Sequence, residues 1–463
     1  MVTVSESHAR HRPPPGPFAW PLIGNLLDMR AAGDAATYSD RLWRRYGDTV
    51  RFKLLGTNAV LVTHPDALKQ ILSTRRERYV KGKIYDSPRG ILGDGLVTLE
   101  GDPWKARRAL AQPAFHRQSL AKLTAIVARS GARFLDDLAR RASNGPLEID
   151  GHREMVKLTL DVVIAALLGD DLLRGADVSY EIIGDALRLM SERGHGLALP
   201  SWIPTPQNIK FRRTRRELDA IMYTIIGRAR QRSQDDGSLL SMLLSAIDAE
   251  TGQSLPDQAV RDEVLTLFVA GHETTALTLT WMFTFLGGRP EVLRRMREEV
   301  DAVLGGRDPG FEDVPSLPYV RQVVEETLRL RPPAPLIPRN VVEEDVLDGY
   351  RVRPGEIVLL NFWGTHRHPA FWPDAEAFDP DRFSAAQSKD RHSWSFIPFS
   401  GGPRTCIGNL FALVEASILI AQLLNRFDFE IPPCDVKPIA VATLRPSGPV
   451  RIVLRPRALG RAP

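Results

Sequence analysis

The chain has 463 residues, of which 43% are hydrophobic and 25% are charged, a composition typical of a globular protein with ample apolar mass for a core. Its two cysteines exclude a disulfide framework and a site built from several cysteines, such as a structural zinc or iron–sulfur centre. The net charge of +5 is small for this length, and the densest basic run is typical of a solvated helix face, so we exclude nucleic acid as the main partner.

The chain begins with a polar segment and a run of prolines. Residues 1–12 lack the apolar stretch of a signal peptide and are predicted to form an N-terminal tail. The prolines at 13–17 predict a stiff, extended lead-in. No apolar stretch approaches the roughly 20 residues that a bilayer requires. We therefore expect a cytoplasmic protein without a membrane anchor.

The hydrophobic periodicity predicts a mainly α fold with a minor β portion. Residues 50–52 and 59–63 predict a β-hairpin. From residue 65 to about 330, apolar residues recur every three or four positions, which indicates helices. The helices are predicted at 120–138, 156–168, 182–189, 218–226, 264–286 and about 406–427, and the later strands at 341, 346–352, 357–361 and 450–454. Without an internal repeat or flexible linker, residues 13–463 are predicted to form one large domain.

A single cysteine lies in a glycine-rich loop, FSGGPRTCIG at residues 399–408, directly before an apolar-patterned helix. The glycines allow backbone conformations and close approaches that side chains forbid. Loop N–H groups and the helix N-terminus are expected to lower the pKa of Cys406, and a thiolate held in this way suits an axial haem ligand. Most free cysteines are small buried hydrophobic residues, however, and the loop alone leaves that alternative open.

This loop resembles the haem-binding signature of the cytochrome P450 family. All five fixed positions of that signature are filled, by Phe399, Gly402, Arg404, Cys406 and Gly408. The resemblance implies haem b (iron protoporphyrin IX) as cofactor, with Cys406 as the thiolate ligand of the metal. It places Phe399 near the sulfur and directs Arg404 at a haem propionate, a carboxylate that the arginine fork suits. Residues 93–96 and 270–275 are similar to soluble bacterial fatty-acid-hydroxylase-type members, and the proline lead-in resembles microsomal-type members.

A second resembling segment is the helical sequence AGHETT at residues 270–275. Ala270 and Thr274 share one helix face, and two small residues there leave room for a flat ligand. Taken alone, this is equally a threonine-rich turn of an ordinary buried helix. In the resembled family the segment crosses the distal face of the haem, which implies that Thr274 and Glu273 are catalytic residues that deliver protons during oxygen activation. His272 is expected to pack in the helix, because that position is not a ligand in the family.

Three charged residues are implied to be structural. Glu326 and Arg329 are three positions apart, which alone predicts an ordinary surface pair worth a few tenths of a kcal/mol. The resemblance joins them to Arg382 in a buried network that fixes the loop carrying Cys406.

Further cofactor and substrate contacts follow from the resemblance. Trp104, Arg108 and Arg339 are implied to bind haem propionates, although Trp104 and Arg108 also fit an ordinary basic helix. The neighbouring Lys105 and Arg107 suggest a surface that steers an acidic redox partner. Most residues expected near the distal face are small and all are apolar, which predicts a roomy apolar substrate cavity. These residues are Val97, Ala270, Ala334, Leu336 and Ala442.

The resemblance therefore implies a haem-thiolate monooxygenase of secondary metabolism that inserts one oxygen atom from O2 into a bulky lipophilic substrate, such as a terpenoid, polyketide or long-chain acid. Electrons would come from NAD(P)H through a separate ferredoxin or flavoprotein reductase. One alternative is a peroxygenase of the same fold, which the presence of both Glu273 and Thr274 disfavours. The other is a haem-binding sensor or carrier without turnover, and no segment resembles an output domain.

Overall fold

The computed structural model describes residues 12–54, 56–169, 203–231, 237–247, 252–433 and 435–457. The helix predicted at 182–189 and residues 1–11 of the predicted tail lie outside the described residues.

The described chain is mainly helical with small sheets, which confirms the predicted fold class. The α-helices are α1 (Leu26–Ala32), α2 (Ala35–Tyr46), α3 (Pro65–Lys69), α4 (Asp86–Leu92), α5 (Gly101–Ala111), α6 (Arg117–Arg141), α7 (Gly151–Leu168), α8 (Pro206–Arg230), α9 (Leu239–Ser245), α10 (Asp257–Leu286), α11 (Pro290–Leu304), α12 (Pro318–Leu330), α13 (Phe362–Thr365), α14 (Ala385–Ser388) and α15 (Asn409–Arg426). The strands are β1 (Thr49–Leu54), β2 (Thr57–Val62), β3 (Tyr79–Val80), β4 (Leu147–Asp150), β5 (Leu336–Val341), β6 (Asp345–Leu347), β7 (Tyr350–Val352), β8 (Ile357–Asn361), β9 (Phe427–Glu430), β10 (Pro438–Ala440), β11 (Leu444–Pro446) and β12 (Arg451–Pro456). Among the described helices, none combines the length and apolarity needed to cross a bilayer.

Two elements differ from their predicted form. The predicted strand at 346–352 is a hairpin of β6 and β7, because Asp348 and Gly349 take positive φ angles of 48° and 79° and turn the chain back. The last helix begins at Asn409 and not at about 406, because the Asn409 N–H bonds the carbonyl of Cys406 at 3.4 Å and closes a turn first.

One compact unit comprises the residues up to 82, 334–376 and 391–405. Its five-stranded sheet has the order β1-β2-β8-β5-β3, with β2 and β8 parallel and the other pairs antiparallel. The predicted hairpin is confirmed as β1 and β2, in which Thr49 pairs with Val62. Fully buried residues such as Val60 and Leu360 carry the core beneath this sheet, since alternate side chains of each strand face it.

The other compact unit comprises residues 83–333, 377–390 and those from 406 onward. Its centre is α10, which is buried along most of its length and packs closely against α7. Apolar residues lie all round α10, as is typical of a helix inside a large domain. Val264, Leu265 and Phe268 of α10 belong to the main apolar core of this unit. Two small sheets, β4-β12-β9 and β10-β11, complete it.

Candidate functional site

Cys406 lies at the start of the second unit's last segment, three residues before α15. Gly408 is the N-cap of that helix, and its carbonyl accepts the Ala412 N–H at 2.8 Å. The thiol is accessible to solvent, yet protein atoms surround it closely enough that burial raises its pKa, against the opposing effects of the Gly408 N–H and the charge of Arg108. The expected net lowering of this pKa is therefore wrong, because desolvation outweighs the loop N–H group.

These properties of Cys406 fit a metal ligand. Cys406 is accessible, as a ligand must be, and the cation Arg108 lies near it. A thiol that coordinates a metal is deprotonated outright. A single cysteine thiolate is a known ligand of haem iron, and Cys406 would suit that role.

Two residues of α5 were predicted to bind haem propionates. Arg108 donates from Nε to the Gln112 Oε1 at 3.0 Å. Burial lowers the pKa of Arg108, whereas the nearby Cys406 raises it, so the guanidinium and the thiol interact electrostatically. Trp104 is half-buried and packs against the main apolar core of the second unit. Arg108 is therefore the cation that the structure brings to Cys406.

The middle turn of α10 is the accessible part of an otherwise buried helix. Ala270 is exposed, although Phe268 and Ala276 to either side are buried. The Thr274 hydroxyl donates to the Ala270 carbonyl at 2.7 Å, and the helix continues through this turn without a break. The accessible side chains of this turn are therefore small, which leaves room for a ligand beside it.

The carboxylate of Glu273 is held in place by the turn and strand that follow β10. It accepts hydrogen bonds from the Thr443 hydroxyl at 3.0 Å and from Nε of Arg445 at 2.7 Å. Its side chain is 18% exposed, so water screens this ion pair only in part. Sequence reasoning did not find these partners, which lie 170 and 172 residues away along the chain.

His272 faces the interior of the second unit. The side chain is buried, Nδ1 is 3.1 Å from the Phe268 carbonyl, and the ring stacks on that of Phe268 with centroids 5.3 Å apart. Burial lowers its pKa, so it is neutral at pH 7. His272 is a packing residue of the helix.

A buried carboxylic acid lies behind the same turn of α10. Glu415 of α15 accepts a hydrogen bond from the Thr275 hydroxyl at 3.1 Å. Burial raises the pKa of Glu415 to about 8, with only the Thr275 hydroxyl opposing the shift. This residue was not predicted as part of the site, although a single glutamate in an apolar helical run is a detectable signal.

Two predicted substrate residues lie in loops of the second unit. Val97 is half-buried against the main apolar core, and Ala442 is exposed in the turn between β10 and β11. Together with the exposed Ala270, these are small or medium apolar groups, as a cavity for an apolar molecule requires.

The two basic residues predicted to steer a redox partner differ in their surroundings. Lys105 is exposed and pairs with Asp102 at 2.7 Å. Arg107 is only 13% exposed, donates to the Ala259 carbonyl at 3.0 Å and lies 3.5 Å from Glu263. The expected surface role is therefore wrong for Arg107, because its charge is directed into the protein.

Glu326 and Arg329 of α12 form a fully buried ion pair within the second unit. Two bonds of 2.6 and 2.7 Å join the guanidinium to the carboxylate, in the bidentate geometry that makes such pairs strong. The Asp379 N–H donates to Glu326 at 2.9 Å, and Nε of Arg382 is 3.7 Å from the same oxygen. Burial raises the pKa of Glu326, whereas Arg329 lowers it. The network ties α12 to the segment that carries Asp379 and Arg382.

In the first unit, Gly402 begins a short 3-10 helix, Gly402–Arg404. Its φ angle is +66°, and a Cβ at this position would overlap the carbonyl oxygen of Leu72. Glycine is therefore required here by both conformation and space. Gly408 of the second unit differs, because its φ of −91° suits any residue and a Cβ would make an ordinary 3.8 Å contact with Phe115.

The first unit also contains the remaining predicted residues. Phe399 and Arg404 are half-buried near Gly402 in the chain. Arg339 of β5 is buried and donates to the Pro338 carbonyl at 2.8 Å. Leu336 begins the same strand and packs against the apolar cluster of this unit, and Ala334 precedes it, half-buried.

Comparison with known proteins places the chain in one family. The family model described as cytochrome P450 matches residues 13–454. The chain is 34% identical over 433 residues to a cyclooctat-9-en-7-ol 5-monooxygenase of Streptomyces melanosporofaciens, covering 90% of this chain and 92% of the relative. It is 32% identical over 421 residues to the pentalenene oxygenase of Streptomyces avermitilis, covering 90% and 92%. It is also 32% identical over 416 residues to the chloroplastic carotene epsilon-monooxygenase of Arabidopsis thaliana, covering 84% and 76%.

Proposed function

From the premise that this chain belongs to the cytochrome P450 family and is a monooxygenase, we propose that it inserts one oxygen atom from O2 into a bulky terpenoid substrate. The observation that carries the proposal is the position of Cys406, an accessible cysteine directly before α15 with the cation Arg108 nearby. It occupies the ligand position of a fully matched signature.

The residues present fit haem b as the cofactor. Cys406 would ligate the iron, and Arg108 and Trp104 of the second unit would bind propionates, as would Arg404 and Arg339 of the first. When bound, the haem supplies the oxygen chemistry, and a thiolate ligand favours cleavage of the O–O bond. The chain itself supplies binding, orientation and control of protons.

Proton control is assigned to Thr274 and Glu273. The Thr274 hydroxyl donates its one hydrogen to the Ala270 carbonyl, so to deliver a proton it must turn from that carbonyl, release this hydrogen and accept another at Oγ1. Glu273 directly precedes Thr274 in the chain, and its bond with Arg445 holds its carboxylate in place. In this proposal Thr274 Oγ1 donates the proton to the substrate side of the site, and Glu273 then supplies Thr274 with a replacement proton.

The proposed substrate class rests on the relatives and on the apolar residues that the resemblance assigns to the substrate. The relatives are named as oxygenases of cyclooctat-9-en-7-ol, pentalenene and carotene. The side chains that the resemblance assigns to the substrate are apolar and offer no polar group to such a molecule; they are Val97, Ala270, Ala334, Leu336 and Ala442. Orientation by shape alone is therefore expected, with affinity coming from apolar burial.

The experiment uses the haem-loaded protein with a surrogate ferredoxin, its reductase and NADPH, because the proposed electron donor is a separate protein. Cyclic terpene alcohols and hydrocarbons are supplied with isotopically labelled O2. We expect consumption of O2 that depends on substrate, and one labelled oxygen atom in the product. If the haem is bound and reducible but none of these compounds causes the protein to consume O2, the proposal is contradicted and a haem carrier is favoured.

A further inference from the structure

The loop at residues 93–98, which carries Val97, lies directly against α10. Gly93 has a φ of +70°, and a Cβ on it would overlap the Asp262 carboxylate. A Cβ on Gly95 would overlap the hydroxyl of Thr266. The two glycines therefore let the loop backbone contact the helix. Any larger residue at either position would collide with a side chain of α10.

Two adjacent carboxylates of α10 bind this loop through its backbone. The Asp94 N–H donates to Oδ2 of Asp262 at 2.9 Å, and the Leu96 N–H donates to Oε2 of Glu263 at 3.2 Å. Both acidic side chains are buried, Glu263 completely. Bonds from an N–H to a charged acceptor are roughly twice as strong as neutral ones, so alternate amides of the loop are anchored firmly.

The two carboxylates are themselves held from behind by arginines. Arg261 bonds Asp262 at 2.8 Å and also pairs with Asp219 of α8. Arg107 of α5 lies 3.5 Å from Glu263. Each carboxylate is thus held by an arginine, Asp262 by Arg261 of α10 itself and Glu263 by Arg107 of α5.

The loop also closes on itself. The Thr98 hydroxyl donates to the Gly93 carbonyl at 2.6 Å and accepts the Gly95 N–H at 3.1 Å. Val97 lies between Leu96, whose N–H bonds Glu263, and Thr98, whose hydroxyl bonds the Gly93 carbonyl. The backbone of Val97 is therefore fixed on both sides.

We propose that Asp262 and Glu263 form a carboxylate clamp that fixes the loop at 93–98 on α10, and that this clamp positions Val97 and so determines which bulky substrates fit. This inference rests on the proposed function, in which Val97 contacts the substrate. Asp262 and Glu263 are positioning residues, because they act through the loop and not on the substrate.

The chemistry of Glu263 supports a positioning role. Its Oε1 has no hydrogen-bond partner among the described residues, and burial raises its pKa to about 7, against the effect of Arg107. A buried carboxylate with one oxygen unpaired is costly compared with an amide or an apolar group of the same size. Arg107 and the Leu96 N–H both favour the ionised form of Glu263, which is the stronger acceptor for that N–H.

The experiment compares haem-loaded Glu263→Ala and Glu263→Gln variants with the parent protein, and uses Glu298→Ala as control. Glu298 is an exposed helical glutamate of α11 paired with Arg294, and it has no contact with the loop in the described structure. Hydrogen exchange of the 93–98 segment, measured by mass spectrometry without any added ligand, reports the clamp directly. Binding of imidazole and of 4-phenylimidazole, followed by the haem absorption spectrum, reports selectivity for a bulky ligand.

We expect exchange in this segment to rise about tenfold or more in Glu263→Ala, because a bond to a charged acceptor is lost. The ratio of the two dissociation constants should change at least about fivefold, since a loosened loop no longer sets the shape of the cavity. Glu263→Gln keeps an oxygen for the Leu96 N–H and should restore both quantities most of the way. The control should match the parent.

Unchanged exchange at 93–98 in folded Glu263→Ala would overturn the clamp. Faster exchange with an unchanged ratio of dissociation constants would overturn its role in selectivity. If Glu263→Ala does not fold, Glu263→Gln and Asp262→Ala are compared with the parent. The proposal is overturned if Glu263→Gln matches the parent in exchange and in the ratio of dissociation constants, and if folded Asp262→Ala also exchanges at the parent's rate. Failure of the proposed function is separate, because it would show as absence of substrate-dependent O2 consumption by the haem-loaded parent protein, while the exchange measurement still tests the clamp.

Discussion

The guanidinium of Arg445 and the carboxylate of Glu273 form a half-buried ion pair, with Nε and Oε1 2.7 Å apart. The pair joins β11 to the middle turn of α10, beside Thr274. An acidic residue that is to hand protons on must be kept at a fixed place, and this arginine provides that restraint. Arg445 is thus a positioning residue for the proposed proton delivery.

Replacing Glu273 by glutamine should lower product turnover by about 100-fold, because the amide cannot release and regain a proton. Affinity for 4-phenylimidazole should stay the same, since the side chain keeps its shape. Turnover is measured with the surrogate ferredoxin system. Arg451→Ala is the matched control, because Arg451 forms a similar but exposed pair with Glu148. Equal turnover in Glu273→Gln and the parent would contradict the assigned role.

The Glu326→Ala substitution tests the buried ion network. It removes the partner of a fully buried arginine, and a buried pair broken in this way typically costs about 3–5 kcal/mol. We expect the free energy of unfolding, measured in urea, to fall by that amount, with loss of bound haem at lower urea concentrations.

The control for this network is Asp381→Ala in the same region of the chain. Asp381 pairs bidentately with Arg295, but both side chains are more than 40% exposed. Exposed pairs contribute about 0.2–1 kcal/mol. If the free energy of unfolding falls no more in Glu326→Ala than in Asp381→Ala, burial adds nothing to the stability of the network.

The Gly402→Ala substitution tests the turn in the cysteine loop. The positive φ of 66° costs a non-glycine residue about 1–2 kcal/mol, and the added Cβ must also displace the Leu72 carbonyl. We expect a lower melting temperature and less haem per protein after purification. Gly448→Ala is the control, since no atom lies within 4 Å of a Cβ there. Equal haem content in the two variants would contradict the close approach at Gly402.

Glu415 predicts a pH dependence of stability. Burial raises its pKa from an ordinary value of 4.5 to about 8, so between these pH values the folded state holds a proton that the unfolded state has lost. The free energy of unfolding therefore falls as the pH rises through this range, by at most about 1.4 kcal/mol per pH unit from this group. Glu415→Gln keeps an acceptor for Thr275 and removes the titration.

On going from pH 5.5 to pH 8, the free energy of unfolding of Glu415→Gln should therefore rise relative to that of the parent, as urea unfolding at the two pH values would show. Glu298→Gln, at an exposed position, should show no such gain. A difference between parent and Glu415→Gln that is the same at both pH values would mean that Glu415 is not protonated in the folded protein.

The sequence predicted the fold class and the family, because both depend on local patterns. The period of α10 and the spacing around Cys406 are features of a few consecutive residues. The partners of Glu273 and Glu263 could not be predicted in this way. Each depends on which distant segments fold together, as with Leu96 and Glu263, 167 residues apart.

Two errors have a common physical cause, which is burial. Arg107 was expected at the surface from its basic neighbours, but it lies against Glu263. The pKa of Cys406 was expected to be lowered by loop N–H groups, but desolvation has the larger effect. Burial is set by packing of the whole unit, so a short motif does not reveal it.

The absorption spectrum of the purified, reduced and carbon-monoxide-bound protein tests the central claim most directly. With Cys406 as ligand, the Soret band should lie at the red-shifted position that thiolate ligation produces, and Cys406→Ala should lose that band. A band at the position typical of histidine-ligated haem, or the same red-shifted band in the variant, would contradict the assignment of Cys406 and the monooxygenase mechanism built on it.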